Sequence, residues 1–489
     1  MISPSLLDLV RRDGSSRRHP ALPPSLPVAP LQQAWSYAVD SVDFVERGRL
    51  EVGEAFTLDV PKYGPVVGFT AESAVRKIIE GSAADFANAA DVGAFFLGPN
   101  SILFLEGEAH VAARMRTMAA ISGERMRAYG GTIVEAADRL IESLVPGQPM
   151  EAMEVARELA LDVIFRALLG LHEGPVYERL KSQTKSFLDG GHSKLANLMS
   201  LYLPGETLRP IVFGRRDPVT MRALPERGVL GLIGRLPPIR AARDLIDGLV
   251  EHIEWRSAHL DEKSDDALGF ILQRARASGR PYSGAEALDE TLTILLAGHD
   301  TTAIILAWAL YHIGRNPAVR ARLSAEIDAA CPNGSFDPRN IERLPYLRAV
   351  IDETFRLDGI SRGLMRRLKR DMVIEGYSLP AGTVVLAYPF AVIRDPKRFA
   401  SPEAFDPEQM LGKKMRPHEF TPFGGGYRRC AGAAFAEYEL ALLIARIVQR
   451  VEFQTPAGLT VRGGMIGPLR GPDRPVPLEV KQVHPSRRA

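Results

Sequence analysis

Between Leu288 and Ile313 the chain is apolar on almost every face once past its first turn. A helix without a polar face has to be buried. About 26 residues rising about 1.5 Å each span roughly 39 Å, enough to cross a domain. A chain with such a segment must supply a large helical body to cover it. Asp300 and Thr301 lie inside the segment, and buried polar groups need partners. A threonine hydroxyl has one to hand in the carbonyl one turn earlier.

Composition bounds the rest. The chain has 489 residues, 46% hydrophobic and 25% charged, ordinary for a globular protein and enough to enclose a ligand. A net charge of +2 gives no global field directed at nucleic acid. Two cysteines, Cys331 and Cys430, make no disulfide framework and point to a reducing compartment. Pro4 and Asp8 interrupt the first apolar run and arginines follow it, so no signal peptide is expected. The most apolar window, Thr291 to Leu310, holds His299 and Asp300, so no membrane span is expected and the location expected is cytoplasmic.

Residues 1–30 contain Pro20, Pro23, Pro24, Pro27 and Pro30 and are expected to be an extended lead-in to a single domain over residues 31–489. Phe56–Val60 and Pro65–Phe69 predict a hairpin, and Ala71 to Glu80 a helix. From Glu106 to Leu310 the periodicity is mostly helical. Residues 361–400 and 452–480 read as short strands and turns, and a helix with Leu440, Ile444, Ile447 and Val451 on one stripe follows Cys430. The fold class expected is mainly α with a small β-rich part drawn from both ends of the chain. Residues 203–238, rich in Pro, Gly and Arg, read as a long surface connection or a mobile lid.

The segment Phe423-Gly-Gly-Gly-Tyr-Arg-Arg-Cys-Ala-Gly432 carries the chemistry. Its glycines permit a tight turn and close approach to a flat ligand. A cysteine opening a helix would have its thiolate favoured by free N–H groups and the helix dipole. Phe423, Gly426, Arg428, Cys430 and Gly432 match F-x-x-G-x-R-x-C-x-G, so the chain resembles the cytochrome P450 family, of the soluble, bacterial type. The resemblance continues in Ala297-Gly-His-Asp-Thr-Thr302, in Glu353-Thr-Phe-Arg356 and in Gly107, His110 and Arg114. It implies a triangular helical prism around one haem b, with Cys430 as axial iron ligand. Cys331 reads as structural.

By the same resemblance, a helix opened at Gly298 would turn Thr301 toward bound dioxygen to direct its protonation, with Asp300 relaying protons. Glu353 and Arg356 would be a structural ion pair. His110, Arg114, Arg366 and Arg428 would bind the haem propionates, and Phe423, Gly424 and Gly432 would complete the cofactor loop. Two departures stand out. Gln409 occupies the place of a third charged partner, and Leu357-Asp-Gly-Ile-Ser361 stands where the family commonly has two prolines. Phe95, Phe96, Leu296, Ala297, Ile360 and Ile466 would line a cavity for a hydrophobic substrate such as a terpenoid, fatty acid or polyketide, in secondary metabolism.

The reaction implied is insertion of one oxygen atom from dioxygen. The electrons would come from a separate ferredoxin and its reductase, with Lys413, Lys414 and Arg429 attracting an acidic partner. The alternatives are a peroxide-using or rearranging haem-thiolate enzyme and a haem sensor without turnover. Asp300 and Thr301 argue against both.

Overall fold

The computed structural model describes residues 22–39, 41–60, 63–89, 94–191, 205–226, 228–260, 265–331, 336–361, 363–466 and 469–485. The central helix runs from Gly284 to Arg315, 32 residues against the 26 expected. A capping box starts it: the Ser283 hydroxyl accepts from the Glu286 amide at 3.2 Å and the Glu286 carboxylate accepts from the Ser283 amide at 3.0 Å. Asn316 and Pro317 end it. The helices Ala152–Val163, Pro237–Ala258, Pro345–Asp358 and Ala433–Arg450 pack around it. Trp308, Leu306 and Ile304 are buried in one continuous core. This helix is long and apolar enough to cross a membrane, but 78% of its apolar window is buried inside the protein, as a core helix requires.

The expected opening at Gly298 is absent, because the helix is continuous there. A Cβ at Gly298 would lie 3.3 Å from Ile164 Cδ1, so the glycine serves close packing against the π-turn Ile164–Leu168. The Thr301 hydroxyl donates to the Ala297 carbonyl at 2.6 Å, the local bond that threonines favour in helices.

The predicted hairpin is present as Ala55–Val60 and Gly64–Phe69, followed by the helix Glu72–Ile79. Val384–Ala387 pairs parallel to the second strand, and Leu364–Leu368 and Phe86–Asn88 complete a five-stranded sheet. Three smaller sheets include Pro149–Glu151, Val451–Gln454 and Pro477–Val483 in one, and a carboxy-terminal hairpin of Gly463–Ile466 with Leu469–Pro472. The β-rich part thus draws on both ends of the chain, as expected. Residues 1–21 of the expected lead-in lie outside the described residues. Its described end has Leu26 buried and Ser25 bridged to Thr57, and a helix starts at Pro30. The surface connection expected at 203–238 is replaced by the helices Gly205–Phe213 and Gly228–Ile233 and the first turn of Pro237–Ala258.

Candidate active site

The Phe423–Gly432 loop is closed by the Cys430 amide, which donates to the Phe423 carbonyl at 2.9 Å. Phe423 packs edge-on against Phe355 with centroids 5.0 Å apart. The glycines were expected to admit a flat ligand, but two of them meet protein instead. A Cβ on Gly425 would lie 2.3 Å from Ile79 Cγ2, and one on Gly426 2.4 Å from the Ile79 carbonyl. The run seats the loop on the end of the helix Glu72–Ile79.

Cys430 does not open the following helix directly, since Gly432 is the N-cap of Ala433–Arg450. Burial is the largest influence on its thiol and pushes the pKa up, while the Gly432 amide and the charges of Arg114 and Arg429 pull the other way. The amide at the helix end does favour the thiolate, as expected, but burial outweighs it. The side chain is nonetheless exposed. On the central helix the same thing happens in mid-core: Ala297 is exposed and Leu296, Gly298 and Thr301 are half-buried, although the residues before and after them are buried.

Beside this space lies a surplus of positive charge. His110 is buried in the helix Gly107–Ala120, edge-on to Tyr427. Burial first, then Arg428 and Arg114, push its pKa down to about 4, so it is neutral at pH 7. Arg114 donates to the Arg429 carbonyl. Arg366, buried on its strand, lies over the Tyr427 ring and meets no carboxylate among the described residues. Arg428 pairs with Glu106 at 2.5 Å and donates to the Leu105 carbonyl, yet its Nε is buried without a partner. Of Arg114, Arg366 and Arg428 only Arg428 has a carboxylate partner among the described residues, Glu106, which Lys369 also approaches at 3.9 Å, and buried cations call for anions.

Asp300 is buried, with Arg157 Nε 3.6 Å and His299 Nδ1 3.3 Å from its carboxylate. His299 Nε2 donates to the Arg157 carbonyl at 3.1 Å. Thr302, the next hydroxyl along, hydrogen-bonds Glu439. Glu439 was missed by sequence reasoning. It is buried on Ala433–Arg450, and burial pushes its pKa up to about 8, so it is mostly protonated at neutral pH. A Glu directly before Leu440, Leu442 and Leu443 on the apolar part of the helix was the available signal.

Of the residues expected at the cavity, Phe96 is half-buried and edge-on to Phe187, and Ile360 and Ile466 are half-buried. The side chain of Phe95 lies outside the described residues. Also unforeseen is buried Asp289, which bonds Arg209 at 2.5 Å and Asn100 at 2.9 Å. It ties the Gly98–Ser101 turn and the helix Gly205–Phe213 to the central helix. One metal-like cluster, Glu72, His418 and Glu419, is already paired internally, because Arg398 bonds both carboxylates and His418 bonds Glu80.

A flat, metal-centred dianion needs a soft donor facing open space, an apolar wall with a gap in it, and cations for its carboxylates. The exposed Cys430, the exposed stretch at Ala297 and the unpaired Arg428 Nε fit those needs together. Fold and site define the class of haem proteins.

The comparisons with known proteins are more specific. The Cytochrome P450 family model matches residues 238–463. Cytochrome P450 135B1 of Mycobacterium tuberculosis is 28% identical over 443 residues, covering 89% of this chain and 86% of that one. Human cytochrome P450 3A5 is 24% identical over 440 residues, covering 85% and 82%. Among solved structures, cyanobacterial CYP120A1 with retinoic acid bound superposes with a TM-score of 0.75 at 22% identity, over 94% of this chain and 99% of that one. The chain is thus similar over most of its length to cytochrome P450s, bacterial ones among them, a family of haem-dependent monooxygenases that act on a substrate with dioxygen and electrons from redox partners, and it shares their fold.

Proposed function

We propose that residues 31–489 act as one catalytic domain, that Cys430 holds the iron of haem b through its thiolate, and that the substrate is a hydrophobic molecule of the terpenoid, fatty acid or polyketide kind. The observation that supports this best is that Cys430 and Ala297 are both exposed, Ala297 in the middle of a helix that is otherwise largely buried. When bound, haem supplies the dioxygen chemistry. Arg114, Arg366, Arg428 and neutral His110 would hold its carboxylates, His110 by one N–H. Leu296 and Ala297, with Phe96, Ile360 and Ile466, would exclude water and orient the substrate. Arg157 is partly exposed and lies 3.6 Å from the Asp300 carboxylate, so Asp300 would link solvent to the neighbouring Thr301 and pass protons inward. The test is incubation of the haem-loaded enzyme with NADPH, a ferredoxin, its reductase and a panel of such lipids under labelled dioxygen. A product carrying one labelled oxygen supports the reading, and consumption of NADPH with no oxygenated product from any class counts against it.

Thr301→Ala is expected to keep haem binding and NADPH consumption while product per NADPH falls and hydrogen peroxide rises. One lost hydrogen bond at the reacting centre is worth about 1.4 kcal/mol, or about tenfold in coupling. Unchanged coupling would remove Thr301 from this role.

The docking reading changes in one respect. Lys413 is exposed as well, but it lies over the Phe399 ring and donates to the Arg398 carbonyl, so its position is fixed by the protein. Lys414 and Arg429 are exposed. Reversing both charges is expected to slow reduction by an acidic ferredoxin by about tenfold at low salt, with the deficit shrinking as salt screens it. Stopped-flow reduction rates that ignore both mutation and ionic strength would refute the basic face.

A further inference from the structure

The carboxy-terminal hairpin presents two different faces. Met465 pairs with Arg470, and Ile466 with Leu469. Side chains alternate along a strand, so Met465 and Arg470 share one face while Ile466, Leu469 and Gly471 share the other. A Cβ at Gly471 would lie 2.5 Å from Ile466 Cδ1 and 3.2 Å from Ile304 Cγ1. The Ile466 face therefore lies directly on the central helix, three residues past Thr301.

The opposite face is held by charge. Arg470 Nη1 lies 3.5 Å from Asp358 Oδ1, and both residues are 8% exposed. The Arg470 amide also donates to the Ile360 carbonyl at 3.1 Å. The other Asp358 oxygen bonds His312 Nε2 at 2.7 Å, and the His312 ring stacks on Phe405 with centroids 4.3 Å apart. One carboxylate thus joins the end of Pro345–Asp358, the last turn of the central helix and the hairpin. Arg470 Nε and Nη1 have no hydrogen-bond partner, and Asp358 is the only ion-pair partner of this buried cation among the described residues.

This joint lies where the chain departs from the family's prolines. Gly359 keeps φ −54° and ψ 138°, a backbone path a proline would also take. The direction of the chain is retained without the ring that would stiffen it, and the Asp358–Arg470 pair supplies a fixed point instead.

We propose that Asp358 and Arg470 are positioning residues for substrate selection: their ion pair holds Ile466 against Ile304 and so sets the width of the cavity beside Thr301. The proposal rests on the haem monooxygenase reading above.

The test uses haem-loaded enzyme, Arg470→Met, Asp358→Asn and the conservative Arg470→Lys. Two readouts apply: hydrogen exchange of residues 463–472, and the dissociation constants of imidazole and the bulkier 4-phenylimidazole from their spectral shifts. In Arg470→Met and Asp358→Asn the hairpin amides should exchange about tenfold faster or more, with the helix Ala433–Arg450 unchanged. The ratio of the two azole affinities should shift by about tenfold, and Arg470→Lys should restore much of it. Should Arg470→Met fail to fold, the other two variants decide by the same readouts. Wild-type exchange and a wild-type affinity ratio overturn the proposal. If neither azole shifts the spectrum of the wild-type enzyme, the haem reading fails, and hydrogen exchange still decides whether the brace exists.

Discussion

Replacing Cys430 with alanine is expected to abolish the thiolate-type Soret band of the reduced carbon monoxide complex and to lower turnover below detection. Cys430 is exposed in its loop, and its surroundings raise its thiol pKa by desolvation. Binding of the iron there would displace a proton, and the iron–sulfur bond would supply the free energy for it. No second thiol is at hand to replace it. Cys331, the only other cysteine, is buried at the end of a different helix, and burial pushes its thiol up as well. Cys331→Ala should leave the band intact. A variant lacking Cys430 that keeps the thiolate spectrum would show that the iron ligand had been misassigned. His110, the nearby imidazole of the cation group, is neutral and so chemically able to ligate, but its exposure is low. A weak imidazole-type spectrum in Cys430→Ala is therefore compatible with the assignment.

What could be read from sequence follows the range of the interactions. The central helix was legible because apolar residues on all faces leave it nowhere but the core, and the Cys430 loop because its residues are contiguous. The hairpin and the helix near Ala71 depend on local periodicity, and both appear within a residue or two of the expected bounds. The partners of those elements were not legible. Asp289 meets Arg209 across 80 residues, Asp138 meets Arg446 across 308, and Asp358 meets Arg470 across 112. No spacing rule predicts such pairs, because tertiary packing alone brings them together. The error about Gly425 and Gly426 has the same origin. Sequence shows that side chains are missing, but only the fold shows that Ile79 fills the room. Lys413 is the exposed cation it reads as, but the Phe399 ring beneath it comes only with the fold.

Glu353→Ala is expected to destabilise the folded enzyme by about 3–5 kcal/mol, because it leaves a buried guanidinium without its counter-charge. Both Glu353 and Arg356 are fully buried. Arg356 holds the carboxylate with two bonds, at 2.6 and 2.8 Å. Its remaining hydrogens go to the Ile393, Pro402 and Ala404 carbonyls, and its face lies over the Phe399 ring. Glu353 in turn accepts from the Asp406 amide at 2.9 Å. The pair therefore fixes several points between residues 393 and 406, in the stretch that leads to the cysteine loop. The departure at Gln409 now has a physical account. Gln409 exchanges two bonds with Ser401 and takes no part in the ion pair, and main-chain carbonyls occupy the hydrogens a third charged residue would have shared. Glu353→Gln should cost less than Glu353→Ala, since the amide oxygen can still accept from Asp406. Arg356→Met should be comparable to Glu353→Ala. If the two groups act as a unit, the double variant will be far less destabilised than the sum of the singles. Denaturant unfolding midpoints and haem content per chain measure this. Additive losses, or single variants with wild-type midpoints and full haem, would mean that the pair does not hold the loop in place.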